Sequence, residues 1–129
     1  MKKLFSKHWK SSKQPRKQRK YIATAPLHIK HKFLGAHLSK DLRKQYKTRT
    51  IPVKKEDQVI IKSGQFKGII GKIEKVNLRK TRIYVNNAQI TKKDGNKVFY
   101  PIHPSNVVIT ELNLKDKERL KILERKNKK

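Results

Sequence analysis

The most regular hydrophobic pattern begins at residue 58. Gln58-Val59-Ile60-Ile61-Lys62 is rich in β-branched residues, and the run Ile69 to Val76 continues in the same style after a glycine-containing break. Both segments predict strands. Gly71, inside the second, marks a bulge or a close approach of another chain segment. Asn77-Leu78-Arg79-Lys80 reads as a tight turn, and Thr81-Arg82-Ile83-Tyr84-Val85 as an alternating strand with Ile83 and Val85 on one face and Arg82 and Tyr84 on the other. Asn86-Asn87 reads as a turn pair that tolerates positive φ. Gln89-Ile90-Thr91 and Val98-Phe99-Tyr100 flank Asp94-Gly95, a hairpin signal. Pro101-Ile102-His103-Pro104-Ser105 is a constrained corner, and Val107-Val108-Ile109-Thr110 a last strand. Short, evenly spaced strands of this kind point to a mainly β fold that closes into a small barrel, since closure removes exposed edges.

The flanks follow other rules. Residues 1–20 show no helical or strand period, and Leu4, Phe5 and Trp9 stand alone among polar residues. Pro15 blocks a helix interior, so the segment reads as an extended arm, densest in charge from Lys10 to Lys20. Residues 24–46 predict two short helices. Pro26 suits a first turn and Gly35 a left-handed end, while Ser39 suits a cap with Asp41 in the turn behind it. Neither is long enough to stand alone in water. Leu114 to Lys129 reads as a charged helix, with Asp116 and Glu118 early and Arg125, Lys126, Lys128 and Lys129 late, the order that the helix dipole favours. Its apolar stripe, Leu120, Ile122 and Leu123, is narrow.

Charge changes the picture most. The 129 residues carry 36 Lys and Arg against 9 Asp and Glu, a formal net charge of +27. Residues 1–40 hold 12 of the cations and no carboxylate. Such a stretch repels itself and needs a polyanion beside it, and nucleic acid supplies phosphates in a row with counterion release as the gain. With 34% hydrophobic residues the chain has core enough for one small domain plus tails. The absence of Cys excludes disulfides and thiolate metal sites and fits a reducing compartment, the cytoplasm by default. No run approaches the roughly 18 apolar residues of a membrane span. Lys2 and Lys3 have no apolar run behind them, unlike a secretory signal, and the segment is Lys-rich where a transit peptide would be Ser- and Arg-rich.

The candidate chemistry lies in the break between the first two strands, Ser63-Gly64-Gln65-Phe66-Lys67-Gly68. Gly64 and Gly68 let backbone N–H groups approach phosphate, Phe66 offers a face for a base or sugar, and Lys62, Lys67 and Lys72 supply charge. An ordinary hairpin with Phe66 plugging the end of a barrel explains the same residues. His28, His31 and His37 fall close in sequence, but Lys30 and Lys32 flank the first two and no carboxylate is near to orient them, so we expect no metal site. Glu56-Asp57 balances Lys54-Lys55 rather than forming a catalytic pair. No catalytic constellation, cofactor motif or small-molecule substrate site is expected, and the C-terminal helix has too little apolar face to bind lipid.

At these residues the chain resembles a known family. Gln58 to Tyr84 is similar to a KOW motif, with Gly68 at its hallmark glycine. Pro15-Arg16-Lys17-Gln18-Arg19-Lys20, Ala25-Pro26-Leu27-His28-Ile29-Lys30 and Leu38-Ser39-Lys40-Asp41-Leu42-Arg43 resemble the N-terminal extension of the universal large-subunit ribosomal protein number twenty-four family, in its archaeal and eukaryotic form. Tyr100 to Ile109 resembles that family's final strand. The resemblance implies an SH3-like barrel bound to large-subunit ribosomal RNA beside neighbouring ribosomal proteins, acting early in subunit assembly near the rim of the peptide exit tunnel. Two departures stand out. Ile69 and Ile70 replace residues that are often polar, which implies that the loop packs on something, and Asn86-Asn87 stands where a left-handed Gly is common.

The expected organisation is therefore a basic extended arm (1–23), a short-helix extension (24–50), a KOW/SH3-like barrel (51–112) and a charged C-terminal helix (113–129). The expected RNA-binding residues are Arg16, Lys17, Arg19, Lys20, Lys30 and Lys32 in the extension, and Lys62, Gly64, Phe66, Lys67, Gly68, Lys72, Arg79, Lys80 and Arg82 in the barrel. The competing readings are a KOW-type transcription elongation regulator and a general nucleic-acid-binding protein. The first normally carries a separate α/β domain, which residues 1–57 are too basic and too poor in apolar residues to build.

Overall fold

A computed structural model describes residues 5–9 and 11–128. Lys2, Lys3, Leu4, Lys10 and Lys129, named above, lie outside them. The described chain is mixed rather than mainly β. It has helices α1 (Pro15–Thr24), α2 (Leu27–Phe33), α3 (Lys40–Tyr46) and α4 (Lys117–Asn127). Its strands are β1 (Gly35–Leu38), β2 (Thr50–Pro52), β3 (Gln58–Ile61), β4 (Ile70–Asn77), β5 (Arg82–Val85), β6 (Gln89–Thr91), β7 (Lys97–Phe99) and β8 (Val107–Glu111). A single 3₁₀ turn covers Pro104–Asn106.

Six strands form one sheet in the order β2-β1-β8-β3-β4-β5, and β6 pairs with β7 in a separate hairpin. Among the described residues the end strands β2 and β5 do not pair, so the ladder is open. β4 is the long member. Its first half pairs with β3 (Ile60↔Ile70) and its second with β5 (Val76↔Ile83), with a register shift between Ile73 and Lys75 that lets the strand bend from one to the other. Alternate residues of these strands point into one core, where Leu38, Ile51, Val59, Ile61, Ile73, Ile83 and Ile109 are at most 2% exposed. Burying each such side chain contributes about 1.5–3 kcal/mol.

Gly71 sits where β4 passes closest to the β5–β6 connection. A Cβ there would fall against Asn86 Oδ1 and 2.7 Å from Val85 Cγ1, so close approach is the reason for glycine. Neither Asn86 nor Asn87 takes the expected positive φ. Their side chains act instead. Asn86 Oδ1 accepts from Lys72 N–H at 3.1 Å, and Asn87 Nδ2 donates to the Ile70 carbonyl at 2.6 Å, which pins this connection to β4.

Two further expectations change. Residues 1–23 are not an extended arm throughout, because Pro15 begins α1 rather than interrupting it. At a first helical position proline loses no hydrogen bond and its φ is already helical. Phe5 and Trp9 return to that helix, with Trp9 stacked on Tyr21 at 4.4 Å and 27° and Phe5 at 5.0 Å from the same ring. Gly35 does not end α2 in a left-handed turn. Leu34 caps the helix with φ −80°, and Gly35 opens β1, which runs parallel to β8 (Leu38↔Ile109). Ser39 caps α3 as expected, its side chain accepting from Leu42 N–H.

The C-terminal helix docks on the sheet. Asp116 caps it, and Arg119 and Leu123 are each 2% exposed. Arg119 meets Asp57 in a two-pronged ion pair, with both N···O distances 2.6 Å. Asp57 is therefore a buried anchor and not the surface balance for Lys54-Lys55 expected from its neighbours.

Candidate nucleic-acid interface

The β3–β4 loop is shaped by its glycines. Gly64 and Gly68 hold φ of +99° and +88°, and a Cβ on either would meet nothing within 4 Å, so conformation rather than space requires them. Gly68 N–H donates to the Ile61 carbonyl at 2.8 Å and is not free for phosphate as the sequence suggested. Gly64 N–H has no acceptor among the described residues. Lys62 and Lys67 are exposed on the loop. Phe66 is half-buried, leans on the core, lies 5.1 Å from the Tyr100 ring and lines a cleft. Ile69 packs against the core while Ile70 stays exposed.

That cleft, of about 200 Å³, joins the loop to the Pro101–Asn106 corner, with Gly64, Phe66, Arg82, Tyr100, His103 and Asn106 around it. Arg82 is half-buried and held in place, its Nη1 donating to the Thr81 carbonyl at 3.1 Å. On the other side of His103 a second cavity of about 450 Å³ is lined by Thr81 together with Trp9, Gln18, Tyr21 and Phe33. The corner thus links the β3–β4 loop to α1, whose Arg16, Lys17, Arg19 and Lys20 are all exposed. Burial, with the Arg82 guanidinium next in weight, holds the His103 imidazole below its usual range.

Two expected residues stand apart from this face. Lys30 is buried, and its Nζ donates to the Arg79 carbonyl at 2.9 Å, so it ties α2 to the β4–β5 turn instead of facing a phosphate. Lys72 lies toward Glu56, whose carboxyl is held below the usual range chiefly by its hydrogen bond to Lys115, with Lys72 as a lesser contributor. Lys32, Arg79 and Lys80 are exposed around α2 and the β4–β5 turn. The residues that sequence reasoning left out of the site are Tyr100, His103 and the Trp9–Tyr21 stack. His-Pro-x-Asn in a corner was a signal for His103, and isolated aromatics in a cationic arm were one for Trp9.

The ion pairs are segregated. Among the described residues they are Lys54–Asp116, Lys115–Glu56, Arg119–Asp57 and Lys121–Glu118, all gathered around α4 and the turn before β3. None involves Arg16, Lys17, Arg19, Lys20, Lys32, Lys62, Lys67, Arg79, Lys80 or Arg82. The ion pairs gather at one end of the molecule, although Lys55, Lys117, Arg125, Lys126 and Lys128 stay outside them, while α1, the β4–β5 turn and the β3–β4 loop hold none among the described residues. No helix among the described residues is long and apolar enough to cross a membrane.

The chain is 50% identical over 115 residues to the large ribosomal subunit protein uL24 of Methanosphaera stadtmanae, covering 89% of this chain and 98% of that one. It is 48% identical over 118 residues to the protein of the same name from Pyrobaculum islandicum, covering 92% and 96%. Residues 12–126 match the model of the eukaryotic L26 ribosomal proteins and their archaeal counterparts, and the chain belongs to that ribosomal protein family.

Proposed function

We propose that this chain is a structural constituent of the large ribosomal subunit that grips ribosomal RNA in the cytoplasm, beside neighbouring ribosomal proteins, and acts early in subunit assembly near the exit-tunnel rim. Its role is not enzymatic. The observation that carries the reading is where the ion pairs fall: the paired carboxylates gather at the α4 end, and the exposed cations of α1, the β4–β5 turn and the β3–β4 loop have no counter-ion among the described residues. Arg16, Lys17, Arg19, Lys20, Lys32, Lys62, Lys67, Arg79, Lys80 and Arg82 would neutralise phosphates, with Gly64, Gly68 and Phe66 shaping the loop. Lys30 supports them from inside, and Lys72 contributes only at the margin.

We read the bent sheet, in which β4 serves two partners around one core, as a partly open SH3-like barrel of the KOW type. The divisions 1–23, 24–50, 51–112 and 113–129 describe roles rather than folding units, since β1 joins the barrel sheet and α4 docks through Arg119. Cosedimentation with large subunits through high salt tests the function. Retention at one copy per subunit is expected, and quantitative loss from the particles would refute it.

A further inference from the structure

The Pro101–Asn106 corner holds a histidine whose tautomer its own backbone decides. Ser105 N–H donates to His103 Nδ1 at 3.2 Å, and Ser105 Oγ lies 2.7 Å from the same nitrogen. A ring nitrogen that accepts from a backbone N–H carries no proton, so the neutral ring holds its proton on Nε2. Protonating Nδ1 as well would break the cap of the Pro104–Asn106 turn. Nε2–H has no protein acceptor among the described residues. The ring borders the cleft that also presents the Phe66 and Tyr100 rings and the Arg82 guanidinium. No carboxylate lines that cleft, and its 200 Å³ suits one base rather than a helical segment.

We propose that this cleft receives a single unpaired nucleotide of the RNA, with Arg82 on its phosphate, the Phe66–Tyr100 edge against its base and the His103 Nε2–H donating to a base acceptor. The proposal rests on the RNA-binding reading above and adds to it a site that distinguishes unpaired from paired RNA. Aromatic edges and a neutral donor recognise an extruded base, whereas the exposed lysines elsewhere see only phosphates. The depressed His103 basicity keeps the ring a donor of one fixed kind at neutral pH.

The test uses the full chain and two RNA hairpins of equal length, one fully paired and one with a single bulged 2-aminopurine. The wild type is expected to bind the bulged RNA at least about fivefold more tightly and to change the 2-aminopurine emission. His103→Asn keeps an acceptor beside Ser105 but lacks the distal donor. It should keep the wild-type melting temperature and salt slope while losing about three- to tenfold in affinity for the bulged RNA alone. His103→Gln, which retains a distal donor but loses the cap, should melt earlier and keep part of the preference. Arg82→Gln should lower the salt slope on the bulged RNA by about one. Equal wild-type binding to both RNAs, or a full preference in folded His103→Asn, would overturn the pocket while leaving RNA binding intact. Failure to bind either RNA would overturn the RNA reading itself.

Discussion

Replacing Asp57 with Asn tests what holds the C-terminal helix to the sheet. The Asp57 carboxylate is completely buried and accepts four hydrogen bonds: Lys54 N–H at 2.9 Å, Asn113 N–H at 2.8 Å and the two Arg119 nitrogens at 2.6 Å. Arg119 also donates to the carbonyls of Asn113 and Pro52, so its guanidinium is fixed on three sides. Asn keeps the shape and one acceptor but turns an NH₂ toward one prong and leaves a buried cation without a counter-charge. Removing one partner of such a pair costs about 3–5 kcal/mol. The loss should fall near the lower figure, because α4 can undock and carry Arg119 into water, at the further cost of exposing Leu123, about 2 kcal/mol. Equilibrium urea unfolding measures the total, and hydrogen exchange in Lys117–Asn127 reports the undocking. Arg119→Met and the double variant complete a cycle, in which the double should be much less destabilised than the two singles together. High salt should change the wild-type contribution little, since both groups are shielded from solvent. An Asp57→Asn loss below about 1 kcal/mol, the scale of a surface pair, would refute the reasoning.

Gly71→Ala should destabilise by about 1–3 kcal/mol in the same assay, because its methyl group meets Asn86 and Val85; a neutral effect would show that the connection yields. Lys30→Met should lower stability by about 1 kcal/mol through the lost bond to Arg79 while leaving the salt slope of RNA binding unchanged. Lys67→Ala should do the reverse, keeping the urea midpoint and lowering the slope by about one. His103 titrates in the folded chain below its ordinary value of 6.5, so the neutral ring contributes stability above that pH and the contribution is lost as pH falls through the folded value. Urea midpoints should therefore fall between pH 7.5 and 5, and fall less in His103→Asn; equal slopes would remove His103 as a cause.

The strands from β3 to β8 were legible because their signals are local: β-branched runs, alternation, and Asp94-Gly95 at a turn where Gly95 takes φ +89°. β1 was not, because it is four residues long and its partner β8 lies some seventy residues away, although the alternation Leu34, Ala36, Leu38 that buries it stands in the sequence. α1 was hidden by reading Pro15 as a breaker, which depends on whether proline falls inside a helix or at its start. Composition marked the site's charge but not its use. Lys30 and Arg119 look like any other cation until the fold brings Arg79 and Asp57 to them across distances in sequence that no local pattern encodes. His103 was visible as part of a motif, and only its bond to Ser105 N–H showed which nitrogen it offers.

Binding of the full chain to large-subunit ribosomal RNA and to duplex DNA across a salt series tests the central claim most directly. If about eight phosphates are neutralised on the duplex, log K should fall with log salt at a slope near −7 there. At physiological salt the ribosomal RNA should bind markedly more tightly than the duplex. Equal affinity for the two at that salt would contradict the account and leave a general polyanion binder in its place.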